Sequence, residues 1–287
     1  MWAWARPLSG VAIIVVLVHQ LGADPFVDGL HRTDAGALAV ALSVTAVTTW
    51  CCARRWSLLA DALGVAVPPG TAYWDCHRAQ FLNATLPGGV VGDVHRGLRH
   101  GRGSGAMARG IRSVVWDRAS GQAVQLGLVV LAIPMLPTPL RAWAVALALG
   151  LAAVAVAVVV AFRAEVSAVL GTPGVWSRVI LLSTAAAGGH VLVFVVAART
   201  AGVTAPTHEL VPLALGVLLA SAIPLNFAGW GPREGAAAWV FGAAGLGAGA
   251  GLEVAVVYGV MSLVATLPGA LVLWSGRVSA RAEVRHA

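Results

Sequence analysis

Pro224–Gly235 reads P-L-N-F-A-G-W-G-P-R-E-G, and it sets an arginine beside a glutamate in an otherwise apolar part of the chain. Pro232 suits the first position of a helix, where its missing N–H costs nothing, and the glycines before it let the chain turn sharply. The stretch therefore ends one helix and begins another. Leu86–Arg96, L-P-G-G-V-V-G-D-V-H-R, has the same grammar: a proline, glycines, then an acid and an arginine in a new helix. Pro87 and Pro224 lie 137 residues apart, close to half of the 287-residue chain. Two broken helices facing each other inside a membrane are the expectation.

Composition supports the membrane. Hydrophobic residues make up 59% of the chain, charged residues 11%, and mean hydropathy is +0.83, far outside the soluble range. Every one of the 19 basic residues is arginine, and they fall between apolar spans rather than along an aromatic stripe. The net charge of +7 is thus a topology signal, and nucleic acid is not an expected partner. Cys51, Cys52 and Cys76 have the spacing of neither a disulfide framework nor a metal site, so no metal or cofactor is expected.

Working outward from the two motifs, the apolar runs predict an all-α, polytopic membrane protein with six full spans and two re-entrant hairpins. The full spans are Leu8–Gly22, Ala35–Ala53, Ala119–Leu136, Ala142–Phe162, Val179–Ala198 and Glu253–Trp274, and Ala35–Ala53 is long enough, at about 1.5 Å per residue, to cross about 30 Å of hydrocarbon. Leu58–Pro69 reads as a short surface helix, and Arg99 to Arg112 as a flexible basic loop. Leu210–Phe227 descends to the second turn, and the chain leaves it through a Gly/Ala-rich helix ending near Gly249. With both termini cytoplasmic, fifteen arginines lie inside and three outside, as the positive-inside rule requires; the Arg54-Arg55 doublet marks a cytoplasmic helix end. Residues 1–140 and 141–287 then form two halves of a single domain, the second inverted relative to the first, as in many secondary transporters.

An ionised side chain at bilayer depth costs about 2.5–3.5 kcal/mol even on lenient scales, so Arg233, Glu234, Arg96 and Asp93 must line protein or a wet cavity. Gly88, Gly89, Gly229 and Gly231 shape the turns, and Trp230 and Asn226 are candidate headgroup contacts. The free N–H groups of the two new helices, with Arg96 and Arg233, are the expected anion site. Asp117-Arg118 reads as a helix opening that could partner those arginines, and His190 and Glu253 as candidate proton carriers.

L-P-G-G-x-x-G-D-x-x-R, D-R-x-x-G at Asp117–Gly121 and G-W-G-P-R-E-G together resemble the flippase-like membrane domain of lysylphosphatidylglycerol synthases, from about Leu8 to Trp274. The resemblance implies movement of a lipid between leaflets of the cell membrane, and the expectation is a stand-alone member without the soluble aminoacyl-transferase domain. The expected ligand is a phosphate-bearing lipid with an anionic headgroup, phospholipid or isoprenoid-linked. Candidate protein partners are a second copy of the chain and a separate enzyme that makes the lipid. Two other classes stay open: an integral-membrane transferase acting on a lipid phosphate, and a small-solute secondary transporter. Against the transferase stands the lack of a D-D-x-x-D, H-E-x-x-H or nucleophile-elbow motif.

Overall fold

Helices account for most of the computed structural model, which describes residues 15–16, 18–20, 22–161, 174–223, 225 and 229–274. Most of the first predicted span, the inner loop around Arg163 and Glu165, Asn226, and the arginines beyond Trp274 lie outside the described residues. No β-strand forms among the residues described.

A short helix α1, Asp24–Arg32, is followed by the 28-residue α2, Ala35–Ala62, which Asp34 caps by accepting from the N–H of Ala37 at 2.7 Å. The first hairpin is α3, Pro69–Thr85, and α4, Val91–Gly103; α5, Met107–Ala132, follows. A 3-10 turn at Ile133–Met135 leads into α6, Thr138–Ala161, and then α7 spans Val175–Thr200. The second hairpin is α8, Thr207–Ala220, and α9, Pro232–Ala243; α10 is Ala248–Thr266, with helical turns onward to Trp274. Three of these, Ala35–Ala62, Val175–Thr200 and Ala248–Trp274, are long and apolar enough to cross a membrane, while Thr138–Ala153 and Thr207–Ala220 are shorter apolar helices.

Several predicted boundaries move. Nothing between Ala53 and Leu58 breaks a helix, so α2 runs on through the arginine doublet, and the expected surface helix at 58–69 is instead the end of α2 and a turn that buries Leu59, Val65 and Val67. The basic loop shrinks to Ser104–Ala106, because Gly97, Gly101 and Gly110 let α4 and α5 lie against each other: a Cβ on Gly101 would come within 2.8 Å of the Met107 carbonyl oxygen. Asp117-Arg118 does not open a helix; it sits in the middle of α5. The helix after the second turn stops at Ala243, where Gly245 and Gly247 take positive φ, so α10 starts five residues before Glu253.

At the centre α2 packs along α7, with Gly189 of α7 admitting Thr48 and Val44 of α2. Around this pair α3 and α4 pack on each other and α4 on α5; on the other side α8 packs on α9 and α9 on α10. The two ends of the bundle are distinct. At one end Arg32 bonds the Ala201 carbonyl at 3.1 Å and pairs with Glu253 at 2.8 Å, and a second cavity is walled by Leu136–Thr138, His208, Glu209 and Leu246. At the other, His100 meets the Val65 carbonyl at 2.7 Å, and Gly269 lies tight against the backbone of His77. Large apolar side chains such as Trp50, Leu131, Leu181 and Leu271 point outward from the bundle, the surface a lipid-facing protein needs.

Candidate functional site

Each turn motif is a backbone device before it is a binding device. Gly88 and Gly89 have φ +92° and +63°, and Gly231 has φ +126° with ψ −90°, a region that only glycine occupies at ease. The second turn lies against the first hairpin, since a Cβ on Gly229 would stand 3.3 Å from the Ala84 carbonyl oxygen at the end of α3. The two motifs are thus neighbours in space.

Between them is a cavity of about 330 Å³, to which Gly89, Asp93 and Arg96 come from the first motif, Asp117 and Arg118 from α5, and Gly229 and Arg233 from the second. Asp117 is the hub. It accepts from Arg55 Nε at 2.8 Å and from Arg96 Nη2 at 2.9 Å, on two different helices. Asp93 accepts from Arg96 at 3.2 Å, from Asn83 Nδ2 at 2.8 Å, and from Arg118. Arg96 is almost wholly buried, lies over the Trp56 ring at 4.5 Å, and donates to Cys76 Sγ at 3.0 Å. Arg55 also reaches across to Ser183 Oγ on α7 at 3.0 Å.

Around the second turn, Arg233 donates to Glu234 through Nε at 2.8 Å and through Nη2, with its guanidinium 5.5 Å and 5.4 Å from the rings of Trp230 and Tyr258. Glu234 is fully buried behind it, and its other oxygen accepts from the N–H of Gly231 at 2.6 Å. Trp230, Gly231, Glu234 and Gly88 therefore support the wall, while Arg233, Gly229 and Gly89 form it.

Side chains meet part of the hydrogen-bonding need at both helix starts. One N–H at each helix start is taken by a side chain of the protein: Gly231 N–H by Glu234, and Gly92 N–H by Asn83 Oδ1 at 2.7 Å. What the cavity presents is guanidinium, from Arg55, Arg96, Arg118 and Arg233. Arg55 is the residue that sequence reading misassigned, for it is buried at the site and not a flank charge. His190 lines the cavity, whereas Glu253 is paired with Arg32 at the bundle's end. Asn226 lies outside the described residues. Among the described residues no group of His, Cys, Asp and Glu is placed to hold a metal ion.

Residues 4–165 match the lysylphosphatidylglycerol synthase transmembrane region, more than half of the chain. The chain belongs to this family. Both Leu86–Arg96 and Asp117–Gly121 fall in the matched part, and Gly229–Gly235 lies beyond it. No curated protein matches the chain. Membership, with the apolar helices, makes this a multi-pass membrane protein with a lipid-related role.

Proposed function

We propose that this member of the lysylphosphatidylglycerol synthase transmembrane family moves a phosphate-bearing lipid, phospholipid or isoprenoid-linked, between leaflets of the cell membrane. One observation carries the reading: arginines from both halves of the chain converge on one cavity, which Arg55, Arg96, Arg118 and Arg233 share. Four guanidinium groups face three carboxylates, Asp93, Asp117 and Glu234, and the surplus favours an anion. Each carboxylate holds an arginine in place by one or two of its nitrogen atoms, and a guanidinium has five N–H donors to offer.

The topology is part of the proposal: both termini cytoplasmic, six full spans, and two re-entrant hairpins in two inverted halves, 1–140 and 141–287. Recurrent packing supports the halves. If α2 to α5 correspond to α7 to α10, then α3 on α4 recurs as α8 on α9, α4 on α5 as α9 on α10, and α3 against α10 as α8 against α5. Segments that the arginine count puts outside, at residues 32, 137, 201, 208 and 253, gather at one end; segments put inside, at 65, 77, 100 and 269, gather at the other. Rocking of one half against the other would open the cavity to each leaflet in turn.

The test is transport of fluorescent phosphatidylglycerol in proteoliposomes. Arg233→Ala is expected to slow it by roughly tenfold or more, the weight of one charge-assisted hydrogen bond, with the lipid recovered chemically unchanged. Full-rate transport by a folded Arg233→Ala protein would remove the cavity from the pathway, and a covalently altered lipid would point to a transferase.

A further inference from the structure

The carboxylates at the cavity are all engaged by the protein's own donors. Asp117 accepts from two arginines, Asp93 from Arg96, Arg118 and Asn83, and Glu234 from Arg233 and the Gly231 N–H. Asp117 and Glu234 are 2% and 0% exposed, so neither can turn to a new partner without abandoning a buried arginine. A headgroup ammonium brought here would leave water, meet a surplus of positive charge, and find each acid taken. A phosphate oxygen meets the reverse. The remaining polar wall, with Gln80, Thr45, Ser221 and Ser262, offers uncharged amide and hydroxyl groups suited to a hydroxylated substituent.

We infer that the site accepts a lipid phosphate that is bare or esterified to an uncharged hydroxylated group, and rejects one bearing an ammonium. This rests on the lipid-site reading above and narrows it. It also separates the chain's ligand from the aminoacylated lipid in the name of its family, whose lysyl group carries two amines.

Binding to the purified full chain decides it, by native mass spectrometry at pH 7 with acyl-matched phosphatidylglycerol, lysylphosphatidylglycerol and phosphatidylethanolamine, and with an isoprenyl monophosphate. Retention of phosphatidylglycerol or of the isoprenyl phosphate at least tenfold above both amine lipids is expected, and the better-held of the two identifies the source of the phosphate. Equal or tighter binding of lysylphosphatidylglycerol overturns the inference and leaves the lipid site standing. If none of the four is held, the lipid-site reading falls and takes the inference with it.

Gln80→Glu adds a carboxylate of nearly unchanged shape, and its Oε1 can still accept from Thr49 Oγ1, as Gln80 does at 3.0 Å. It should move the ratio several-fold toward lysylphosphatidylglycerol. Thr45→Glu, placing the new charge on α2, should do the same if Gln80→Glu does not fold. An unmoved ratio in a folded variant overturns selection by charge.

Discussion

Asp117 makes the burial of two guanidinium groups tolerable, accepting from Arg55 and Arg96 while only 2% exposed itself. Asp117→Asn keeps the shape and removes the charge, leaving two buried cations a carboxylate short. The expected cost is about 3 kcal/mol or more, measured as a lower unfolding midpoint in mixed detergent micelles. A midpoint equal to that of the unmodified protein would mean water already solvates the cluster. Sequence reading found Arg96, Asp93, Arg233 and Glu234 because each stands beside a glycine or proline break, where charge in an apolar chain needs a reason. It did not find Arg55, because an arginine doublet after an apolar run is also what a helix end at the headgroups looks like. Its carboxylate, Asp117, is 62 residues away along the chain, and only folding brings the pair together. Asn83 was invisible for a similar reason: nothing local marks it as the residue that caps α4 and steadies Asp93.

Glycine decides how closely the elements approach. Gly251 of α10 faces α9, where an added Cβ would lie 2.7 Å from Phe241 Cβ and closer still to the Ala237 carbonyl oxygen. Gly249, two residues earlier, has open space at the same position. Gly251→Ala should therefore push α9 from α10 and cost about 1–3 kcal/mol, as overpacking does. Gly249→Ala should cost nothing, or gain up to about 1 kcal/mol of helix propensity. Equal midpoints for the two variants in the same detergent titration would contradict the close α9–α10 contact. Element type was readable here, since hydropathy marks an apolar helix wherever it occurs. Element ends were not: the glycines at 101, 103 and 105 read as a flexible loop, yet Gly101 is a contact surface inside a helical pair. Local composition cannot distinguish a glycine that frees the chain from one that admits a neighbour.

For the molecule as a whole, the proposed inversion of the two halves predicts that their hairpins enter from opposite sides. The first hairpin leads to the α4–α5 connection at Ser104, beside Arg102 and Arg109; the second is reached from the α7–α8 connection at Thr204. Both positions are exposed, and neither belongs to the cavity. Positive charge should hold the first connection in the cytoplasm, where anionic lipid adds about 1 kcal/mol per arginine near the surface. A membrane-impermeant maleimide should then label Thr204→Cys in intact cells, and Ser104→Cys only after the membrane is opened. The native protein, with Cys51 and Cys76 buried and Cys52 half-buried, sets the background. Labelling of both positions from the same side would break the inversion even if the cavity is correct, because one hairpin would then enter from the wrong face and rocking could not expose the arginines alternately. Reversal of the two results would keep the inverted halves and turn the whole protein over, placing the arginine-rich end outside against the charge rule.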